Sequence, residues 1–327
     1  MKKLISIVAP VFNEEESIGF FYKELSDVLE GLDQYSFEII FVVDKCSDNT
    51  LEILINIAKQ DARVIVVGLS RRFGHQMSLV AGIDQCSGDA CIMMDSDLEH
   101  PPAFIPNILE KYEEGFDIVH TKREYVKGVG FFKSITSKIF YKFLNSLSDE
   151  KLGENSADFR LISRKVIDVF NSKVREHNQY LRGLFRWVGF NQTEIAFTSG
   201  MRQAGDSKYG IGRMIQLGLD GMVSFSKAPL RASIILGIIV ALIGAAYGIY
   251  NIVMYFTAAS LPQGWTTLVS LVLLIGGLLL FILGIIGLYI SAIFDESKNR
   301  PLYIIECRFG QKTDKHDSCR FTSKPLR

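Results

Sequence analysis

Two aspartates separated by one residue, Asp95 and Asp97, are the side chains best suited to chemistry in this sequence. They follow the apolar run Cys91-Ile92-Met93-Met94, which predicts a buried strand. Two carboxylates at one strand end repel each other unless a cation lies between them. Hard oxygen ligands favour Mg²⁺ or Mn²⁺, and these ions commonly bring a phosphorylated substrate. The pattern therefore predicts a divalent metal site for such a substrate, with a solvated acidic turn as the alternative.

The segments around this pair alternate between strand and helix patterns up to about residue 125. Expected strands are 4–9, 37–43, 63–69, 90–94 and 117–121. Expected helices are 14–32, 48–59, 75–86 and 103–112. Strands separated by helices of this length form a parallel sheet that helices cover on both faces. The sequence therefore predicts an α/β fold around a mostly parallel sheet.

Polar residues follow each of the five expected strands. In strand order they are Asn13 and Glu14, Asp44, Arg71 and Arg72, Asp95 and Asp97, and Lys122 and Arg123. Ligands of open α/β sheets bind beyond the carboxyl ends of the strands. We therefore expect these side chains to line one site along that edge of the sheet.

The middle of the chain, residues 126–225, is less regular. A helix is expected at 131–147, a strand at 158–162 and another helix at 179–187. Segment 210–225 is apolar with few charges and precedes a longer apolar region. This position favours a helix lying in a membrane interface, and a core helix is the alternative.

The stretch from Ala232 to Phe294 contains no Asp, Glu, Lys, Arg or His. It divides into Ser233–Phe256 and Thr267–Ile290, each long enough to cross a bilayer. Positive charges flank the pair on both outer sides, and the connecting loop has none. The positive-inside rule then predicts a membrane hairpin with both termini in the cytoplasm. Two buried core helices are the less favoured alternative, because core helices are rarely this long and uniform.

Charge and cysteine content exclude some classes of protein. Lys plus Arg and Asp plus Glu both number 36, so nothing in the net charge suggests a nucleic-acid partner. The five cysteines have no metal-site spacing, and their odd number fits a reducing cytosol.

Four motifs occur in an order that resembles a known family. They are the segment Ser6–Glu15, the strand ending at Asp44, the segment Asp95–Pro102 and the segment Gly205–Tyr209. Together they resemble family 2 glycosyltransferases of the GT-A fold. The likeness is nearest to polyprenyl-phosphate (bactoprenol) glucosyltransferases, which are related to dolichol-phosphate mannose synthases, and it extends to about Cys307. It implies a catalytic domain at 1–209, an interfacial helix at 210–230, two transmembrane helices at 231–294 and a cytoplasmic tail at 295–327.

The resemblance also implies roles for residues on the donor side. The motif's metal ligands correspond to Asp95, Asp97 and Glu99, where the family often has glutamine in place of Glu99. A UDP-sugar would be held by Asp95 and through Mg²⁺ or Mn²⁺, with Asp97 also catalytic. Asp44 corresponds to the acceptor of hydrogen bonds from uracil, and Pro10, Asn13 and Glu14 pass the nucleotide. Pro10 and Asn13 are turn formers in the alternative interpretation.

The acceptor implied by the resemblance is a polyprenyl phosphate. Residues that match or lie near phosphate-contacting positions are Arg123, Lys133, Ser137, Arg160, Arg202 and Lys208. For each of the cations taken alone, a solvated surface position is the favoured interpretation. Asp158 corresponds to a proposed catalytic base. A phosphate oxygen is already nucleophilic at neutral pH, so orienting Arg160 or the acceptor, or a structural pair with Arg160, remain alternatives.

The implied reaction is a single displacement with inversion at the anomeric carbon, feeding the modification of a cell-surface glycan such as O-antigen. Glucose is the expected sugar, with GlcNAc, galactose, mannose or an amino sugar as alternatives. The expected location is the inner membrane, and the resemblance implies a homo-oligomer such as a tetramer. A processive polysaccharide synthase and a non-catalytic nucleotide-sugar-binding protein are the rival functions. The synthase is disfavoured because Gly183 replaces the tryptophan of its signature, which Gln179 to Arg182 otherwise resemble.

Two departures from the family pattern bear on the site and the membrane region. Lys45-Cys46 replaces the usual Gly-Ser after Asp44, so the turn at the nucleotide is expected to differ. Gly287-Leu288-Tyr289 replaces a common Gly-Glu-Tyr, which makes the last span more apolar.

Overall fold

A computed structural model describes residues 2–124, 156–177, 179–198, 228–257 and 264–310. The chain divides into two compact units. The first comprises Met1–Ile139, Leu152–Gly210 and Arg300–Arg327. The second comprises Phe140–Lys151 and Ile211–Asn299.

The described part of the first unit contains strands, α-helices and one short 3₁₀ turn. Its strands are β1 (Lys3–Val11), β2 (Tyr35–Val43), β3 (Val64–Leu69), β4 (Ala90–Met93), β5 (Ile118–Glu124), β6 (Ser156–Ser163), β7 (Gln192–Thr198) and β8 (Ile305–Phe309). Its helices are α1 (Ile18–Glu30), α2 (Thr50–Gln60), α3 (His75–Gln85), α4 (Ile105–Glu113), α5 (Arg164–Ser172) and α6 (Leu181–Trp187). The 3₁₀ turn covers Pro102–Phe104.

These strands form one sheet in the order β7-β5-β6-β4-β1-β2-β3-β8. The pairs β1/β2, β1/β4, β2/β3 and β5/β7 are parallel. The pairs β4/β6, β5/β6 and β3/β8 are antiparallel. The predicted α/β class with a mostly parallel sheet is therefore confirmed.

The core lies on both faces of the central strands. In β1 every residue from Ile5 to Val11 is buried, as is typical of a strand that helices cover on both sides. On one face, Phe21 of α1 packs edge-on against Phe41 of β2. On the other, Gly82 of α3 lets that helix approach β1, because a Cβ atom there would lie 2.2 Å from Val8 Cγ1. This packing fixes where the carboxyl ends of β1, β2, β3 and β4 lie.

The expected elements up to residue 125 all occur, with ends that differ by a few residues. Expected strand 158–162 is β6, and the helix expected at 179–187 begins later, at Leu181. Helix α5 and strands β7 and β8 were not predicted, because each is short and β7 is half exposed. Strand β8 adds a strand to the sheet from the segment 295–327 that the sequence analysis treats as a tail. The helices expected at 131–147 and 210–225 lie outside the described residues.

The described part of the second unit contains two long helices that contact each other, α7 (Ala228–Thr257) and α8 (Trp265–Ser297). Segment Leu274–Ser297 of α8 is long and apolar enough to cross a membrane, with a mean hydropathy of 2.5. In α7 the described apolar stretch, Ser233–Gly244, is shorter than a span. Among the described residues, one of the two predicted spans is thus supported by its length and composition.

Candidate active site

The loop after β4 is held at the carboxyl edge of the sheet by hydrogen bonds to β1. The backbone N–H of Met94 donates to the carbonyl of Val8 at 3.0 Å, and Ser96 Oγ donates to the carbonyl of Pro10 at 3.2 Å. Leu98 has a positive φ of 63°, and the N–H of Glu99 donates to Asp97 Oδ1 at 3.1 Å. These contacts bend the chain so that Asp95, Asp97 and Glu99 share a tight turn, as the motif predicts.

Asp95 is enclosed by two histidines that the sequence analysis did not select. His75 Nε2 lies 2.7 Å from Asp95 Oδ1, and the N–H of Asp95 donates to Nδ1 of buried His100 at 2.9 Å. Burial opposes the charged form of Asp95, but His100 and His75 hold the pKa of this carboxyl well below its usual range. Burial also opposes a charged His75, yet Asp95 raises the pKa of His75 to about 9. An imidazolium–carboxylate pair therefore occupies the end of β4 at neutral pH.

The signal for His75 was present in the sequence but weak on its own. The residue begins α3 directly after Gly74, whose φ of 92° turns the chain at the end of β3. His75 therefore follows β3 and lies near its carboxyl end, as Arg71 and Arg72 do. His100 lies in the quoted Asp95–Pro102 motif, and its ring stacks on Phe159 with a centroid distance of 5.3 Å.

Glu99 and Arg123 form an ion pair on the same side of the site. Arg123 NH1 lies 2.7 Å from Glu99 Oε2, and NH2 of the same guanidinium lies 3.1 Å from His100 Nε2. The structure therefore brings Arg123, at the end of β5, to the aspartate motif. The sequence analysis had grouped it with cations around the acceptor phosphate.

The carboxylates of Asp95, Asp97 and Glu99 are suited to a divalent cation that the protein and the substrate would bind together. Within the described ranges, no three His, Cys, Asp or Glu side chains are grouped so as to hold a metal ion by themselves. Mg²⁺ is usually bound by one or two carboxylates together with substrate phosphates and water, and rarely by an all-protein cage. The carboxylate oxygens of Asp95, Asp97 and Glu99 match this mode of Mg²⁺ binding in number and chemical type.

A second charged cluster lies beside the first because β6 runs antiparallel to β4. Arg160 of β6 pairs with Met93, the last residue of β4. Asp158 lies two residues before Arg160, and Asp95 lies two residues after Met93. The antiparallel pairing therefore places both aspartates at the same edge of the sheet. Asp158 is 7% exposed and binds Arg182 through two contacts, Nε to Oδ1 at 2.9 Å and NH2 to Oδ2 at 2.8 Å. Arg160, 1% exposed, places NH2 3.2 Å from Asp158 Oδ1.

The two guanidinium groups determine the ionisation of Asp158. Burial alone would raise its pKa, but Arg182 and Arg160 hold the pKa of this carboxyl well below its usual range. Burial lowers the pKa of Arg160 to about 10, which leaves it charged at neutral pH. The Arg160 guanidinium also lies 4.9 Å from the centre of the Phe185 ring. Arg182 is a site residue that the sequence analysis noted only as part of a faint synthase signature.

Helices α3 and α6 join the two clusters. Gln76 Oε1, next to His75, accepts a hydrogen bond from the N–H of Leu181 at 3.3 Å. The carboxylates of Asp95 and Asp158 both favour the charged form of His75. The cluster around Asp95 and the cluster around Asp158 are therefore adjacent and interact electrostatically.

The residues predicted around the nucleotide are engaged in joining loops. Both oxygens of buried Asp44 accept backbone N–H groups, from Phe73 at 2.8 Å and Gly74 at 2.9 Å. The Asn13 amide bonds Ser47 twice, at 2.9 and 3.1 Å, and the N–H of Glu14 donates to Thr50 Oγ1 at 2.9 Å. The carbonyl of Pro10 accepts the hydrogen bond from Ser96 Oγ and so holds the loop after β4. These residues therefore shape the edge where a nucleotide is predicted to bind.

The structure brings together the predicted residues Asp95, Asp97, Glu99, Arg123, Asp158 and Arg160. Four further candidates, Lys133, Ser137, Arg202 and Lys208, lie outside the described residues. The residues that sequence reasoning missed are His75, His100 and Arg182. Contacts between segments 20 or more residues apart identify them, and a motif does not show such contacts.

With this geometry in place, comparison with known proteins defines the class. Residues 6–170 match the family described as glycosyl transferase family 2. The chain belongs to this family, and it is accordingly a glycosyltransferase.

Several relatives are similar over nearly the whole chain. The bactoprenol glucosyl transferase of Shigella phage SfV is 39% identical over 303 residues, which cover 92% of this chain and 98% of the relative. The prophage bactoprenol glucosyl transferase homolog of Escherichia coli (strain K12) is 37% identical, with coverage of 92% and 98%. The uncharacterized glycosyltransferase YkcC of Bacillus subtilis (strain 168) is 38% identical, with coverage of 93% and 94%.

Solved structures similar to the chain are more distant. Mannosyl-3-phosphoglycerate synthase from Rubrobacter xylanophilus has a TM-score of 0.47 at 14% identity, covering 67% of this chain and 71% of its own. Glucosyl-3-phosphoglycerate synthase from Mycobacterium tuberculosis, in complex with Mn²⁺, UDP and phosphoglyceric acid, has a TM-score of 0.43 at 20% identity, with coverage of 67% and 75%.

Proposed function

We propose that this chain transfers glucose from UDP-glucose to a polyprenyl phosphate at the cytoplasmic face of a membrane. The catalytic unit and both termini would be cytoplasmic, and α7 and α8 would both span the bilayer. Relatives that carry the name bactoprenol glucosyl transferase support the substrates, since the likeness to them covers nearly the whole chain. The positive charges that flank the apolar region support the topology.

The observation that carries the proposal is the pair of opposed charge clusters along one sheet edge. Ionised carboxylates after β4 suit a metal-bound diphosphate donor, and the guanidinium groups beside Asp158 suit an anionic acceptor. A sugar bound between them would have its anomeric carbon between leaving group and nucleophile. Positioning of that kind is the main requirement of a direct displacement.

On the donor side, Asp95, Asp97 and Glu99 would hold Mg²⁺ or Mn²⁺. The ion would supply positive charge to the departing diphosphate. Pro10, Asn13, Glu14 and Asp44 would shape the nucleotide pocket, through the loop contacts that they make. His75, paired with Asp95, would hold that carboxylate in place.

On the acceptor side, cations would place the lipid phosphate for attack. The candidate cations are Arg123, Lys133, Arg160, Arg182, Arg202 and Lys208, and Ser137 is a candidate neutral hydrogen-bond donor. An anionic phosphate oxygen would form the bond to the anomeric carbon while the bond to the UDP oxygen breaks, with its electron pair leaving on UDP. The configuration inverts, and no proton has to be removed from the nucleophile.

The test is a transfer assay with purified protein in detergent. UDP-[¹⁴C]glucose, undecaprenyl phosphate and Mn²⁺ should give label in the organic phase, and excess EDTA should abolish it. We expect Asp97→Asn to lower kcat at least about 100-fold, because it removes a carboxylate ligand of the metal ion that would neutralise the developing anion. Parallel reactions with UDP-GlcNAc and GDP-mannose test the choice of sugar.

Exposed Glu52 on α2 provides the matched control, since Glu52→Gln also removes one carboxylate. It should leave kcat unchanged. Full turnover in EDTA, or an active Asp97→Asn variant, would contradict the metal-dependent mechanism. Labelling only by another nucleotide sugar would replace glucose in the proposal.

A further inference from the structure

Two guanidinium groups meet one buried carboxylate in the cluster around Asp158. The Asp158 carboxylate lies 2.8 Å from Arg182 and 3.2 Å from Arg160. Guanidinium groups that a carboxylate holds in place are suited to an anionic ligand, because they present charge-assisted hydrogen-bond donors.

Arg160 carries a donor that is unsatisfied in the part of the chain that the structure describes. Its NH2 group donates to the carbonyl of Ala157 at 2.8 Å as well as to Asp158, but buried NH1 has no hydrogen-bond partner. A buried donor without a partner costs on the order of 1–3 kcal/mol, so its retention requires an explanation. A phosphate oxygen is an acceptor suited to it.

Exposure distinguishes the two arginines. The Arg160 side chain is 1% exposed, whereas that of Arg182 is 34% exposed at the start of α6. A bulky lipid head group can therefore reach Arg182 without displacing the core. The two contacts with Asp158 fix the plane of the Arg182 guanidinium, which is the arrangement that pre-organises a phosphate-binding fork.

Asp158 is poorly suited to accept a proton. Its two guanidinium partners hold its pKa well below its usual range, and an effective general base has a pKa near the operating pH. A phosphate monoester is largely dianionic near neutral pH, because its second pKa is about 6. The nucleophile therefore needs placement by cations, and deprotonation contributes little.

We propose that Arg182 binds the phosphate of the acceptor and that Asp158 is its positioning residue, with Arg160 behind them. This inference rests on the proposed transfer to a lipid phosphate and assigns its acceptor subsite. Gln76 holds the start of α6 against the start of α3, so this phosphate lies beside the donor-side carboxylates. The phosphate oxygen bonds to the anomeric carbon, UDP leaves with the electron pair, and Asp158 stays ionised throughout.

The test separates acceptor binding from the chemical step in the full-length protein. Undecaprenyl phosphate is titrated at saturating UDP-glucose, and its binding without donor is measured by microscale thermophoresis. Arg182→Gln should raise the acceptor KM and Kd by about 10- to 100-fold, because it removes charge-assisted hydrogen bonds. The KM for UDP-glucose should change less than about twofold, and Arg182→Lys should recover part of the acceptor affinity.

Asp158→Asn should raise the acceptor KM in the same way, with kcat at saturating acceptor reduced much less. In the double variant with Arg182→Gln the two effects should not add, since both remove one interaction. Arg186→Gln is the matched control, because Arg186 is on the same helix but pairs with Glu194 at 2.7 Å. It should leave the acceptor KM unchanged.

Two results would overturn the inference. One is a kcat loss of 100-fold or more in Asp158→Asn at unchanged acceptor KM, which is the behaviour of a base. The other is unchanged lipid-phosphate binding in Arg182→Gln, and an unchanged acceptor KM in Asp158→Asn decides in the same way if Arg182→Gln fails to fold. A wild-type enzyme that labels no lipid would instead refute the proposed function, and the binding arm still measures the subsite.

Discussion

Two buried carboxyl groups at opposite ends of the sheet have partners of different charge. Glu38, early in β2, accepts hydrogen bonds from Ser6 Oγ at 2.5 Å, Ser87 N–H at 2.6 Å, Ser87 Oγ at 2.5 Å and Gly88 N–H at 3.2 Å. These donors are all neutral. Asp158, at the carboxyl edge of β4, is bound by two guanidinium groups.

The difference in partners distinguishes Glu38, whose role is structural, from Asp158, whose proposed role is in ligand binding. Neutral donors around Glu38 tie together β1, β2 and the turn before β4, and the group requires nothing more. Asp158 is instead bound by two guanidinium groups, and NH1 of Arg160 has no hydrogen-bond partner among the residues that the structure describes. Burial is common to both, so the charge and satisfaction of the partners are the informative quantities.

The largest expected effect on stability comes from removing the structural carboxyl group. Glu38→Ala leaves the hydroxyl of Ser6, the hydroxyl and N–H of Ser87 and the N–H of Gly88 without this acceptor. We expect the free energy of unfolding to fall by about 3–5 kcal/mol, measured by denaturant or thermal unfolding in detergent. Activity per folded molecule should stay near that of the wild type at low temperature.

Glu24→Ala removes an exposed carboxylate from α1 and is the control for that measurement. It should change the stability by less than about 0.5 kcal/mol. If the Glu38→Ala protein had normal stability but a low kcat, Glu38 would have a functional role and the proposed contrast with Asp158 would be wrong.

His120 gives a pH-dependent test of the positive cluster, because it faces Arg160 across β5 and β6. Its Nε2 atom lies 2.8 Å from Gln192 Oε1. Burial and Arg160, with a smaller contribution from Arg186 opposed by Glu194, lower the pKa of His120 to about 4. Protonating this ring would add a further cation beside two guanidinium groups.

The sign of the effect follows from the lowered pKa. Between about pH 6.5 and pH 4 the unfolded chain binds a proton at His120 and the folded chain does not, so stability falls as pH falls. The loss should reach about 2 kcal/mol at pH 5 relative to pH 8. Thermal unfolding at both pH values should show a smaller loss in His120→Gln, whereas equal losses in both proteins would exclude His120 as the cause.

Sequence patterns predicted the parts of this molecule that depend on local periodicity. The apolar runs of β1, β2 and β4 are uninterrupted because helices cover both faces, so their positions and the aspartates that follow were predictable. Strand β8 was not, since Ile305–Phe309 has only five residues and gains its partner, β3, from a segment more than 230 residues earlier.

Which charged residues of the site pair with each other depends on tertiary contacts, and the spacing of residues in the sequence does not reveal these contacts. Asp158 and Arg182 are 24 residues apart, and only the placement of α6 beside β6 makes them partners. The resemblance places Arg123 with the acceptor cations, yet its NH1 lies 2.7 Å from Glu99 Oε2. Such pairings are fixed by tertiary packing.

The smallest expected effect concerns Lys45, the residue that replaces a glycine of the family pattern. Lys45 Nζ lies 2.7 Å from Glu306 Oε2 of β8, and both side chains are more than a third exposed, at 38% and 39%. An exposed pair of this kind contributes about 0–1 kcal/mol. Lys45→Met should therefore lower the free energy of unfolding by less than about 1 kcal/mol in thermal unfolding experiments.

The same variant tests whether Lys45 contributes to nucleotide binding. If its main partner is Glu306, then Lys45→Met and Glu306→Gln should each change the Kd for UDP by less than about threefold in calorimetric titrations. A tenfold loss in Lys45→Met, with normal affinity in Glu306→Gln, would show that the lysine acts on the diphosphate or the base. Lys45 would then belong with the cations of the carboxyl edge, and the ion pair with β8 would be incidental.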